Sequence, residues 1–176
     1  MVRETAITPA FEDLGLRPEL LKALGDLGFH TPTPVQARAI PLLLTSEKDV
    51  VALAQTGTGK TAAFGLPILE FLDPADRTIQ TLVLAPTREL CVQISKDLER
   101  FAAHMKGTRV VAVYGGASIR DQIRDIQRGA QIIVATPGRL LDLIGRDVLN
   151  LTTVDVVVLD EADEMLNMGF QEDLTE

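Results

Sequence analysis

The sequence predicts an α/β fold: a parallel sheet with helices on both faces. Three observations predict it. Short apolar runs alternate with helix-period patterns over most of the chain, the order in which parallel strands and their crossover helices follow one another. The runs are continuously apolar, as in Leu82-Val83-Leu84-Ala85 and Val156-Val157-Val158-Leu159, which suits strands buried on both sides. A third run, Val50-Val51-Ala52-Leu53, leads directly into a glycine-containing turn and a helix pattern from Ala62 to Leu72. No internal repeat, low-complexity segment or second domain is visible, so the expectation is a single domain.

Taken in order, residues 1–10 read as a flexible polar lead. A short helix then runs from Pro18, suited to a first turn, to Gly28 just past the end; Leu20, Leu21, Leu24 and Leu27 form its apolar face. A second helix starts at Thr33-Pro34 and reaches about Leu44, with Pro41 inside it and a kink expected there. Strands are expected at about 49–53, 81–85, 109–114, 131–135 and 155–159. Helices are expected at about 60–72, 87–104, 118–128 and 137–145. Arg120, Arg124 and Arg128 recur at helical spacing beside Asp121 and Asp125, the pattern of a solvated, partly ion-paired face.

The bulk composition narrows the function. A chain of 176 residues that is 46% apolar can bury a core of its own. It has no apolar run of membrane-spanning length and no charged-then-apolar leader. Cys91 is the only cysteine, which excludes an internal disulfide and points to a reducing, cytoplasmic setting. Its place in a helical pattern makes it a small core residue by default. The net charge of −8 argues against coating nucleic acid by bulk electrostatics. It leaves room for a local site built from backbone N–H groups and a few arginines.

The densest chemistry lies in Ala54-Gln55-Thr56-Gly57-Thr58-Gly59-Lys60-Thr61. Its ending fits the phosphate-binding loop of a P-loop NTPase, except that Ala54 stands where the generic pattern has glycine. Glycines let the backbone approach a phosphate closely, and the following helix adds its positive end. Lys60 is suited to the β- and γ-phosphates and the Thr61 hydroxyl to Mg²⁺. A plain strand-to-helix turn gives no packing reason for Lys-Thr directly after the glycine. The apolar run at 156–159 ends in Asp160-Glu161, and ligands of parallel sheets collect at such carboxyl ends. Asp160 is placed to hold Mg²⁺ opposite Thr61, and Glu161 to orient or deprotonate an attacking water. An acidic cap on the next helix is the alternative reading of the same pair. Together these residues argue for a Mg²⁺-dependent nucleoside triphosphatase.

Asp160-Glu161-Ala162-Asp163 resembles the signature of the DEAD-box ATP-dependent RNA helicases of superfamily 2. Further stretches carry the same resemblance in the family's order. Gly28-Phe29-His30-Thr31-Pro32-Thr33-Pro34-Val35-Gln36, with Phe11 upstream, resembles the Q motif, and Ala54 to Thr61 resembles motif I, where alanine in first position is usual. Pro86-Thr87-Arg88-Glu89-Leu90 resembles motif Ia, Gly115-Gly116 the glycine doublet, and Thr136-Pro137-Gly138-Arg139-Leu140 motif Ib. Glu164-Met165-Leu166 and Met168-Gly169-Phe170 look more like the bacterial members.

The resemblance implies a RecA-like domain that binds ATP, Mg²⁺ and the backbone of RNA. Gln36 would bond the adenine edge through its donor and acceptor, Phe29 would pack on the base, and Thr33 would contact the phosphate loop, which spans Gln55, Thr56, Gly57, Thr58, Gly59, Lys60 and Thr61. Thr33-Pro34-Val35-Gln36 is equally a helix capping box, and Phe11 equally a core residue. On the RNA side the resemblance implies Pro86, Thr87, Arg88, Gly115, Gly116, Thr136, Pro137, Gly138 and Arg139. Thr87, Gly116 and Pro137 each follow a strand at the start of a helix, so three helix N-termini would offer N–H groups to phosphates without reading bases. For Thr87 and Thr136 taken singly, ordinary capping explains the residue as well.

The family's first domain continues to a Ser-Ala-Thr motif on a further strand, between the phosphate-loop strand and the Asp-Glu strand, and its second RecA-like domain carries the arginine fingers. Neither is found in this sequence. The expectation is therefore the first helicase domain, residues 11–176, incomplete at its C-terminus, with the two flanking strands not directly paired. Alternatives are a nucleotide- or RNA-binding regulatory module without turnover, against which Lys60 and Glu161 speak, and a DNA-directed superfamily 2 motor, against which the Q motif and Thr136-Pro137-Gly138-Arg139 speak.

Overall fold

A computed structural model describes residues 9–55 and 57–170. These fall into two compact units, one holding the residues up to Phe71 together with Arg100–Met105, the other Leu72–Glu99 and the residues from Lys106 onward.

The first unit is helical. A 3₁₀ turn at Phe11–Leu14 is followed by α1 (Pro18–Asp26), α2 (Pro34–Thr45) and α3 (Lys60–Phe71). Proline stands in the first turn of α1 and α2, where its missing N–H costs no bond and its fixed φ suits helix entry. Leu20, Leu24, Ile40, Leu66 and Leu69 are fully buried and make the core, with α2 packed along α3. Arg17 pairs with Glu70 (Nε to Oε1, 3.6 Å), and the Arg17 backbone N–H donates to Glu70 Oε2 at 2.6 Å. His104 Nε2 donates to Asp26 Oδ2 at 2.6 Å, and Lys22 Nζ lies 3.3 Å from the same ring.

The second unit carries the sheet. Its strands are β1 (Thr81–Leu84), β2 (Val110–Val113), β3 (Ile132–Ala135) and β4 (Val156–Leu159). They pair only in parallel, in the order β2-β3-β1-β4, with Val83 opposite both Val134 and Val158. The connections carry α4 (Arg88–Phe101), α5 (Ile119–Gln127) and α6 (Pro137–Ile144), and α7 (Ala162–Asn167) follows β4. One face of the sheet, with Leu82, Leu84, Val111, Val113, Ile133 and Ala135, packs on Ile126 of α5, Leu140 and Leu143 of α6 and Met165 of α7. On the other face Val83, Ile132 and Val134 are buried too. β1 and β3 are thus buried on both sides, as their continuous apolar runs require.

One expected element is absent. Residues 49–53 form no strand, and Val51 and Leu53 are 88% and 95% exposed. A strand exists only through its ladder, and among the described residues this run has no ladder partner. The sheet ends at β4, whose exposure alternates, with Val157 at 59% and Leu159 at 46%. The helix limits differ from expectation by a residue or so, except that α4 ends at Phe101; α2 runs to Thr45 with Pro41 inside it, as expected. On α5, Arg124 pairs with Asp121 (2.8 Å) and Arg128 with Asp125 (3.2 Å), the ion-paired face that the spacing implied.

Candidate functional site

The residues expected at the nucleotide, Asp160 and Glu161 apart, lie in the first unit. Gly57 and Gly59 hold φ of +80° and +89°, the left-handed region that side chains avoid. Thr58 Oγ1 donates to the Gln55 carbonyl at 2.7 Å and tightens the turn. Lys60 and Thr61 then open α3, and the Ala63 N–H reaches the Gly59 carbonyl at 3.1 Å. A Cβ on Gly59 would run into the Gln36 amide. The loop thus needs glycine at 59 for both its torsion and its neighbour. Thr56 lies outside the described residues.

Gln36 is 3% exposed and joins α2 to this loop. Its backbone N–H is accepted by Thr33 Oγ1 (3.4 Å), its Oε1 accepts from the Thr33 N–H (2.9 Å), and its Nε2 donates to the Gly59 carbonyl (3.1 Å). The capping box is therefore formed, and the same amide also holds the loop. One N–H of Nε2 and one lone pair of Oε1 remain for a further partner. Phe11 is 3% exposed and belongs to the core. Phe29 is 40% exposed, and its ring stands 6.1 Å from that of Phe101 at 53°.

In the second unit, Asp160 follows β4 with its backbone N–H bonded to the Leu84 carbonyl at 2.9 Å; the residue is 8% exposed. Glu161 occupies the N-cap position of α7 with φ 53° and ψ 47°, yet its side chain makes no capping bond. A non-glycine residue in that region costs about 1–2 kcal/mol. The helix-cap reading does not account for that geometry.

Six of the nine residues expected on the RNA side meet in the same unit. Pro86, Arg88, Gly115, Thr136, Gly138 and Arg139 line one cleft of about 430 Å³, joined by Asp142 and Phe170. β1, β2 and β3 deliver these residues from the loops at their carboxyl ends, where a parallel sheet gathers its ligands. Thr87 Oγ1 caps α4 by accepting from the Leu90 N–H at 3.2 Å, whereas the Thr136 hydroxyl makes no cap bond. Pro137 opens α6. Gly116 does not start a helix: it stands at φ +77° in the turn before α5, which Ser118 caps instead, bonding the Asp121 N–H at 3.4 Å. Arg88 lies over the Tyr114 ring, 5.1 Å from its centroid, a cation–π contact. Arg139 Nη1 donates to Gln122 Oε1 at 2.8 Å and to the Ala117 carbonyl at 3.4 Å.

Sequence reasoning missed Asp142, Phe170 and Gln122. Gln122 carried a usable signal: it stands four residues before Ile126, on the buried side of α5, where an amide is out of place unless bonded. Cys91 is fully buried, and burial pushes its thiol up to about 12. No described helix is long and apolar enough to cross a membrane.

A Cβ at Gly57 would meet nothing within 4 Å, which leaves the backbone there open to close approach; Thr61 in the first unit carries a hydroxyl and Asp160 in the second a carboxylate, oxygen groups of the class that Mg²⁺ takes.

Comparison with known proteins gives a consistent answer. The family described as DEAD/DEAH box helicase matches residues 33–176. The ATP-dependent RNA helicase DeaD of Escherichia coli is 54% identical over 93% of this chain, which corresponds to 26% of that relative's length. The DEAD-box ATP-dependent RNA helicase CshA of Geobacillus kaustophilus is 52% identical over 93% of the chain and 35% of its own length. The chain thus spans about a quarter to a third of the curated relatives it matches. Among solved structures, a DEAD box protein from Methanococcus jannaschii superposes with a TM-score of 0.89 at 43% identity, covering 94% of this chain and 45% of that one. The fold is RecA-like.

Proposed function

The chain belongs to the DEAD/DEAH box helicase family, and from that premise we propose that it is the ATP-binding domain of an RNA-dependent ATPase that remodels short RNA duplexes when joined to a second RecA-like domain. The observation that supports this reading most is the cleft in the second unit. Residues from three separate loops, with Arg88 and Arg139 among them, meet there around helix starts. Such a surface suits successive phosphates and reads no base. It lets a chain of net charge −8 bind RNA through local chemistry.

On the nucleotide side, the loop at 55–61 would cradle the phosphates, with Lys60 on the β- and γ-phosphates. Gln36 would use its remaining donor and acceptor on adenine, with Phe29 against the base and Thr33 steadying the loop. Bound Mg²⁺ would neutralise charge on the phosphates, held by Thr61 and Asp160. Glu161 would orient the attacking water.

The arginine fingers that this family carries on its second domain stabilise charge on the γ-phosphate, commonly by ~10³-fold or more in rate. By itself this chain should bind nucleotide weakly and hydrolyse it with negligible stimulation by RNA. A steady-state ATPase assay with and without RNA tests both halves of the proposal. Strong stimulation of this chain alone would overturn the second half. Absence of stimulation in a protein that joins it to its second domain would overturn the first.

A further inference from the structure

The geometry points to Gln122 as a positioning residue that aims Arg139 into the cleft while leaving its charge unneutralised. The inference rests on the RNA reading of that cleft. Gln122 is 7% exposed. Its Nε2 donates to the Tyr114 carbonyl at 3.1 Å, and its Oε1 accepts from Arg139 Nη1 at 2.8 Å. One amide therefore joins the loop after β2, which carries Gly115 and Gly116, to the first turn of α6, which carries Gly138 and Arg139.

The chemistry of the acceptor matters. The Arg139 side chain is only 13% exposed, so its charge is partly desolvated. Its close partners are neutral: Gln122 Oε1 and the Ala117 carbonyl, at 2.8 and 3.4 Å. Among the described residues, the nearest carboxylate oxygen, on Asp142, is 4.0 Å from Nε, and Asp142 is engaged by Arg146 at 2.8 Å. A guanidinium held by amide and carbonyl oxygens is fixed in direction and keeps its positive charge for an anion. A glutamate at 122 would hold the same guanidinium and cancel its charge. Glutamine is the residue that orients without neutralising, and its second bond, to Tyr114, fixes the glycine-doublet loop in the same register.

The test compares the unaltered chain with Gln122→Glu and Gln122→Leu. A short fluorescently labelled oligouridylate is titrated at several salt concentrations, and thermal unfolding and fluorescent ADP affinity are measured alongside. Gln122→Glu loses the N–H that the Tyr114 carbonyl accepts, so it should melt somewhat below the unaltered chain yet bind ADP equally. It should bind RNA roughly tenfold more weakly, with a salt slope shallower by about 0.7, the share of one single-strand phosphate contact. A residue that only holds the fold would not lower the salt slope of RNA binding while leaving ADP affinity unchanged. Gln122→Leu should lose RNA similarly, and the Arg139 Nε–H NMR signal, read without RNA, should show a freed side chain. RNA binding by Gln122→Glu equal to the unaltered chain overturns the inference and leaves the RNA reading standing. An unaltered chain that binds no oligouridylate overturns the RNA reading itself. An Arg139 signal unchanged in Gln122→Leu overturns the positioning claim independently of RNA. If Gln122→Leu fails to fold, Gln122→Glu decides alone.

Discussion

Gln36 Nε2 donates to the Gly59 carbonyl at 3.1 Å while Gln36 Oε1 accepts from the Thr33 N–H at 2.9 Å. One buried amide therefore closes the start of α2 and fixes the last glycine of the turn before α3. At Gly59 the φ of +89° and the Gln36 amide both exclude a side chain, whereas Gly57, at +80°, has open space around it. Gly57→Ala should cost only the torsional part, about 1 kcal/mol. Gly59→Ala should cost about 2 kcal/mol or more and displace Gln36. Urea denaturation measures both, and equal losses would refute the assigned contact.

Glu161 gives a prediction of opposite sign. Its φ of 53° is unfavourable for any side chain, and no capping bond compensates. Glu161→Gly should relieve ~1–2 kcal/mol of local strain, offset in part by ~0.5–1 kcal/mol of extra glycine entropy in the unfolded chain. The expected result is a slightly more stable protein that, in the proposed role, loses hydrolysis in the two-domain enzyme. A less stable variant in urea would show that the Glu161 side chain supports the fold.

The pair at the end of α1 sets a pH dependence. The hydrogen bond from His104 holds the Asp26 carboxyl below its ordinary value of 3.8, with Lys22 adding charge attraction. A carboxyl depressed in the folded state contributes stability above its unfolded pKa and loses it as pH falls through its folded pKa. Stability should therefore fall below about pH 4, and more gently in His104→Ala. Carbon-detected NMR titration of the Asp26 carboxyl should show its midpoint rising toward 3.8 in that variant.

Cys91 should be inert in the folded protein. Burial pushes its thiol up to about 12, so thiolate is scarce at neutral pH and a thiol reagent has no path to it. Labelling at pH 8 should follow unfolding, accelerating with urea along the denaturation curve. Fast labelling without denaturant would contradict the buried position.

β1 and β3 were legible because burial on both faces leaves a continuous apolar run that little else produces. Residues 49–53 show the limit of that signal. Val50 to Leu53 carries the same pattern, yet strand formation depends on a neighbour that local sequence does not encode. Gln36 shows another limit: its capping and its loop contact come from one side chain, and spacing alone reveals only the first. Six of the cleft residues could be named from motif order, but not Asp142 or Phe170. Which oxygen Arg139 bonds could not, because α5 and α6 meet only in three dimensions.

The alternating exposure of β4 has a consequence for how the chain behaves in bulk. Among the described residues no strand pairs with its outer side, beside Val157 and Leu159, which leaves a template on which a strand of another molecule can add. At low ionic strength the net charge of −8 keeps copies apart by mutual repulsion. At 0.15 M salt the Debye length shrinks to ≈ 8 Å and that protection fades. Self-association should thus climb with salt, and dilute, low-salt solution is where copies of this chain should stay apart.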